Sequence, residues 1–182
     1  VTAFAAALAV STAQDSGMRL APQTYNLQPT TSHPPPTGLI EAALLKNPAQ
    51  PQHWLALGRR YDARRDDPFA YIEIWLPRAD ACFGQAVSYA PFDSKILFAA
   101  ADHFVERAAM LPADDAGRSE AVDRFQQYYR RTLQQAPSLW PGAADWVWTF
   151  FPDERVVLGI VPEGMEEMRD RVLRYIVGKG AE

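Results

Sequence analysis

Few side chains in this chain are of types that do chemistry: three histidines (His33, His53, His103), one cysteine (Cys82), and the adjacent carboxylates Asp66–Asp67 and Asp114–Asp115. A zinc or metalloprotease site needs ligand pairs at short fixed spacing, such as CxxC or HExxH, because both ligands must reach one ion from one turn or helix face. Neither pattern occurs. His33 lies beside Pro34, Pro35 and Pro36 and reads as a solvated linker residue. His103 reads as a surface or partly packed side chain, with no second His or Cys at ligand spacing. The paired aspartates fall in polar loops, where turn and helix-capping roles account for them; glycosidic or metal chemistry would need further ligands converging in a cleft. Gly159, Gly164, Gly178 and Gly180 read as caps or turns, not as a loop that cradles phosphate. Cys82 sits on an apolar helix face and reads as a buried structural thiol, and with no second cysteine it forms no internal disulfide. The expectation is a protein with no catalytic residues, no metal and no cofactor, and so not an enzyme.

The elements that would position a site centre on the stretch from Pro48 to Pro91. Trp54, Leu57 and Tyr61 recur at i, i+3 and i+7, one face of a helix. Gly58 sits beside that face, and a glycine inside a helix costs about 1 kcal/mol relative to alanine. Close approach of a second helix is the compensating reason, and Ala79, Phe83 and Ala86 supply a small-large-small face suited to it. Pro91 ends the unit, since proline cannot continue a helix.

Trp54-x-x-Leu57-Gly58-x-x-Tyr61 followed by Ala79-x-x-x-Phe83-x-x-Ala86-x-x-x-x-Pro91 resembles the tetratricopeptide (TPR) repeat, W-x2-L-G-x2-Y on one helix and A-x3-F with a closing proline on the next. Against a 34-residue period, roughly nine extra residues sit in the hinge, around Arg64–Ile72. The phase extends both ways from Gly38 to Phe151. Ala43-x-x-x-x-Pro48 repeats the second-helix ending, and Leu97, Ala100, Ala101 and Phe104 take the first-helix positions of the next repeat. That helix is expected from about Ser94 to Met110, with Asp93 as N-cap. A loop over Pro112–Gly117 and a helix from about Arg118 to Ala136 follow, carrying Phe125, Tyr129, Thr132 and Leu133. The closing prolines Pro48, Pro91 and Pro137 stand 43 and 46 residues apart.

Residues 138–182 read as a divergent third unit. Pro141 suits a first helical position, and Ala144, Val147, Trp148 and Phe151 follow in phase. Trp140, Trp146, Trp148, Phe150 and Phe151 are too many aromatics for one side of so short a helix, which makes them candidate protein-contact residues. The hinge segments Arg64–Ile72 and Pro112–Arg118 are candidate contact surfaces as well. A last helix is expected from near Pro162 to Val177, capped by Gly178, with Met165, Met168, Val172, Tyr175 and Ile176 buried. The resemblance implies an all-α fold, a right-handed α-solenoid of helix-turn-helix repeats, that binds peptide or protein in its groove.

Ahead of this helical domain, 38–182, lie two segments of different composition. Residues 1–13 are apolar, and Phe4, Leu8 and Val10 are candidate membrane-contact residues. They read either as the tail of a signal region or as the end of a retained anchor, and the retained segment is the reading preferred here. Residues 14–37 carry Pro22, Pro29 and the Pro34–Pro36 run, a composition that favours an extended spacer or arm. Either reading of residues 1–13 points to the cell envelope, and the expected location is periplasmic or anchored on the periplasmic side of the inner membrane. The formal net charge is −4, without a block of like charges, so nucleic acid is not an expected partner. The expected role is a non-catalytic scaffold for protein–protein interaction. The alternative is an accessory subunit of a membrane-protein complex, docked through the apolar segment and the Pro-rich arm.

Overall fold

Each apolar period of the helical region becomes a helix, and no strand occurs among the described residues of the computed structural model, which are 37–66 and 68–179. The apolar segment with Phe4, Leu8 and Val10, and the Pro-rich arm up to position 36, lie outside them. The helices are α1 (Thr37–Lys46), α2 (Pro51–Asp62), α3 (Leu76–Tyr89), α4 (Ser94–Met110), α5 (Ala116–Gln135), α6 (Trp140–Phe150), α7 (Glu154–Leu158) and α8 (Glu166–Lys179). The fold is all-α.

Side-chain caps set several of the starts. Asp93 Oδ1 accepts from the backbone N–H groups of Lys95 and Ile96 at 2.9 and 3.2 Å. Asp115 and Asp153 do the same for α5 and α7, from Gly117 N at 2.7 Å and Arg155 N at 2.8 Å. Each cap satisfies donors that have no partner in the first turn. Asp115 is therefore a cap, as its loop position suggests. Pro51 occupies the first turn of α2, and the Trp54 indole N–H turns back to donate to the Pro48 carbonyl at 2.7 Å.

Two boundaries differ from the sequence expectation. The hinge insertion is not a loop throughout: Pro68–Ala70 is helical, Tyr71–Trp75 is a π-turn, and the chain runs directly into α3. A π-turn fits more residues into each turn than an α-helix does. It seats Tyr71 inward while Ile72 and Ile74 face out, 54% and 44% exposed. The second difference is α8. Gly164 has φ +78°, a left-handed conformation that no helix continues through, so the chain turns before Glu166 instead of starting a helix at Pro162. Glu166 and Glu167 then occupy the first turn, where the helix dipole favours negative charge. At the other end the helix runs through Gly178 to Lys179, whose ammonium pairs with Asp145 at 3.3 Å.

The core is continuous from α1 to α8. α2 lays Leu57, Gly58 and Tyr61 on Ala79, Cys82, Phe83 and Ala86 of α3, all of them buried. α4 packs along α5 through Leu97, Ala101, Phe104 and Ala108 on one side and Ala121, Phe125, Tyr129 and Leu133 on the other. Burying each large apolar side chain contributes about 1.5–3 kcal/mol. α5 also holds the C-terminal part by polar contacts. Gln126 Nε2 donates to the Val156 carbonyl at 3.1 Å, and Arg130 Nε donates to the Gly159 carbonyl at 2.6 Å. Among the described residues no helix is long and apolar enough to cross a membrane.

Candidate functional site

A cluster of ionisable side chains meets where α2, α3 and α4 come together. His103 of α4 is 3% exposed, which corrects its reading as a surface or partly packed residue. Its Nδ1 lies 3.0 Å from Asp62 Oδ2, at the end of α2, and its Nε2 lies 2.8 Å from Asp80 Oδ1 on α3. Both ring nitrogens face carboxylate oxygens, an arrangement that favours a proton on each and so the cationic imidazole. The ring also stacks on Phe83, with centroids 4.2 Å apart and planes 13° from parallel. The two carboxylates have further partners. Tyr71 OH donates to Asp62 Oδ1 at 2.6 Å, and Arg107 Nη1 pairs with Asp80 Oδ2 at 2.9 Å. At the rim Arg65 bridges to Glu106 at 2.6 Å.

Burial by itself disfavours charge on His103, but its hydrogen bonds to Asp62 and Asp80, and their charges, outweigh that and raise its pKa above 6.5. For Asp62 burial pushes upward, and the His103 hydrogen bond and charge together with the Tyr71 hydroxyl bring the carboxyl below 3.8. The arrangement is a charged pin across three helices. In the cationic form neither imidazole nitrogen has a lone pair to offer a proton or an ion.

A further, partly buried carboxyl sits one residue before. Asp102 Oδ1 accepts from the Tyr129 hydroxyl at 2.5 Å, joining α4 to α5. Burial pushes its carboxyl up to about 6, against the hydrogen bond from Tyr129, which pulls it down.

These shifts fix the sign of the pH dependence. The His103 contribution is complete below its unfolded value of 6.5 and is lost as pH rises through its higher folded value. The Asp62 contribution is present above 3.8 and is lost as pH falls through its lower folded value. Asp102 binds its proton more tightly when folded, so its contribution is lost as pH rises from 3.8 to about 6. Stability measured by urea denaturation is therefore expected to be greatest in mildly acid solution. It should fall by on the order of 2 kcal/mol between about pH 4 and pH 8. Asp102→Asn should remove the part of the slope below about pH 6. A stability that climbs steadily to pH 8 would contradict the cationic assignment of His103.

Sequence reasoning did not reach this layer because its partners are far apart in the chain, 41 residues from Asp62 and 23 from Asp80. One signal was present: Ile96, Ala100, His103 and Arg107 share a helical face, so His103 lies on the stripe of α4 that must be buried.

The aromatic residues near α6 separate instead of forming one patch. Phe151 is 7% exposed and lies in the core, its ring 5.8 Å from Phe125 with the Arg118 guanidinium over it. The helix ends at Phe150, where the backbone at Phe151 leaves helical geometry and the Phe151 ring lies in the core. Trp148 and Phe150 are partly buried against the core. Trp140 is half-buried, edge-on to Tyr175 at 6.3 Å, beside a cleft of about 510 Å³ that Met165 and Met168 also line. Trp146 is the most accessible of the five, 36% exposed and edge-on to Phe150 at 5.0 Å. The hinge 112–118 is the turn into α5 and carries its cap.

Cys82 is fully buried, and burial pushes its thiol up to about 12, far from a reactive thiolate. Among the described residues no group of three or more His, Cys, Asp and Glu side chains is placed to hold a metal ion. The chain matches no family model, no curated protein and no solved structure.

Proposed function

We propose that this chain is a non-catalytic scaffold of the cell envelope whose helix pairs stack as a TPR-like right-handed solenoid and hold a protein partner. The observation that carries this reading is the order of the contacts. α2 pairs with α3 and α4 with α5, while α2 touches α4 and α4 touches α6, so the first helices of successive pairs lie side by side. Stacking of that kind leaves one row of helices facing a common surface, which is how helical-repeat proteins present a binding face. The deepest polar cluster supports the same reading. Its imidazole is consumed in joining helix pairs, with both nitrogens taken and an aromatic ring against its face. The apolar composition of segment 1–13 supports the envelope location.

The test is to tag the chain at Glu182, extract native membranes in detergent, and identify what co-purifies with the full chain and with a variant lacking residues 1–36. A stoichiometric partner retained by both is the expected result. A partner lost with the truncation would make the chain an accessory subunit docked through its N-terminal segments. A chain that emerges alone would overturn the scaffold reading.

A further inference from the structure

α1 is apolar on both sides. Ile40 and Leu44 are buried in the core, while Leu39, Ala42 and Leu45 on the opposite side are exposed, with Leu39 63% accessible. A helix that is apolar all round belongs inside a fold. The other end of the row of helices is finished differently. There α8 turns Glu167, Asp170, Arg171 and Arg174 to solvent, the polar outer side that closes a helical stack. The repeat spacing identifies what α1 lacks. Leu39, Ile40, Ala43 and Leu44 stand 43 residues before Cys82, Phe83, Ala86 and Val87 of α3, the interval that also separates Pro48 from Pro91. In α3 Cys82 and Ala86 are fully buried, and Cys82 Cβ lies 3.2 Å from where a Cβ on Gly58 of α2 would stand. Among the described residues no helix precedes α1, and Leu39, the equivalent of Cys82, is left open.

The missing element is the first helix of a pair, and in repeat order it comes before α1. Residues 14–36 do not suit it, because they are mostly polar and broken by Gly17 and five prolines. Residues 1–13 carry no proline. In them Val1, Phe4, Ala5 and Leu8 repeat the spacing of Trp54, Leu57, Gly58 and Tyr61, with a small residue again where the second helix comes closest. Thirteen helical residues are about 20 Å long and α1, at ten residues, about 15 Å, so one covers the other. Residues 14–36, extended at about 3.1 Å per residue, are ample to bring the segment back. We propose that residues 1–13 seat on the open face of α1 as the first helix of its pair, with Ala5 against Leu39. Such a helix has a second apolar side, Ala3, Ala6 and Val10, which stays free for a bilayer surface, so the envelope location is untouched. The scaffold reading rests on the stacking of α2 to α6 and does not depend on this seat.

Two thiol measurements test the seat, and the native Cys82 does not interfere because it is fully buried. In the first, Leu39→Cys is labelled with a maleimide in the full chain and in a variant lacking residues 1–13. Labelling in the full chain is expected to be at least about tenfold slower. In the second, the full chain carries Leu39→Cys with either Ala5→Cys or Val10→Cys and is exposed to a mild oxidant. The pair at 5 and 39 is expected to form an intramolecular disulfide at least about tenfold faster than the pair at 10 and 39, because only the first comes within bridging distance. This second reading uses the full chain, so it stands even if the truncation loosens α1. Equal labelling rates overturn the proposal, and so do equal disulfide rates, which describe a tail that reaches α1 without a register. Disulfides formed only between chains assign the face to a second copy and overturn it as well. Protection of the thiol at 39 that appears only with phosphatidylethanolamine–phosphatidylglycerol vesicles present assigns the segment to the bilayer and likewise overturns it. A failed cross-link leaves the co-purification result, and with it the scaffold reading, as it stands.

Discussion

Replacing His103 with leucine is expected to destabilise the protein by about 3–5 kcal/mol, the loss seen when one member of a buried charge cluster is removed. The leucine fills much of the space, so the loss is not mainly that of packing. It arises because Asp62 and Asp80 keep their carboxylates, facing a side chain that offers no proton. Arg107 still compensates Asp80 at 2.9 Å, whereas Asp62 keeps the Tyr71 hydroxyl and a longer pair to Arg65 at 3.8 Å, so Asp62 is left the poorer of the two. Its carboxyl should then titrate upward, since burial, now less opposed, drives it that way. Urea unfolding followed by circular dichroism measures the loss. Adding Asp62→Asn to His103→Leu should return part of it by removing the orphaned charge, a coupling that additive surface effects would not give. A loss below about 1 kcal/mol for His103→Leu would mean that the layer is wet and the imidazole not clamped.

What the sequence made legible followed from local period. The α2 face of Trp54, Leu57 and Tyr61, the α3 face of Ala79, Phe83 and Ala86, and the span of α4 with its Asp93 cap are set by residues three, four or seven apart, and each was readable. The π-turn was not, because Tyr71–Trp75 has no period of its own. Whether inserted residues loop out or widen a turn is decided by whether Tyr71 can reach Asp62. The charged layer was hidden for a related reason. Asp62 looks like a helix-end residue and Asp80 like a solvated neighbour of Ala79, and only the crossing of α2, α3 and α4 brings both to one imidazole. Phe151 shows the limit in the other direction. Five aromatics in twelve residues, from Trp140 to Phe151, established a surplus, but the turn after α6 chose which ring entered the core.

Gly58 shows how strongly one small residue constrains this assembly. In an open helix position alanine in place of glycine gains about 0.5–1 kcal/mol, and Gly142→Ala in α6, where an added methyl meets nothing within 4 Å, should gain about that much. At Gly58 the added Cβ would lie 3.0 Å from Phe83 Cδ2 and Cε2 and 3.2 Å from Cys82 Cβ. Contacts that short require the neighbour to move. The Phe83 ring has little room to do so, because its other neighbour is the His103 imidazole at 4.2 Å, itself held by two carboxylates. Gly58→Ala should therefore reverse sign and destabilise by about 1–2 kcal/mol, and Gly58→Val, with two further methyls in the same gap, by about 3 kcal/mol or more. Denaturant midpoints for the three variants decide it. Phe83→Leu combined with Gly58→Ala should cost less than the sum of the two, because the smaller side chain vacates the contact. If Gly58→Ala stabilised as Gly142→Ala does, α2 and α3 would stand further apart than these distances allow. The packing account of the repeat-like glycine would then fail, together with the mechanical link from Gly58 through Phe83 to the charged layer.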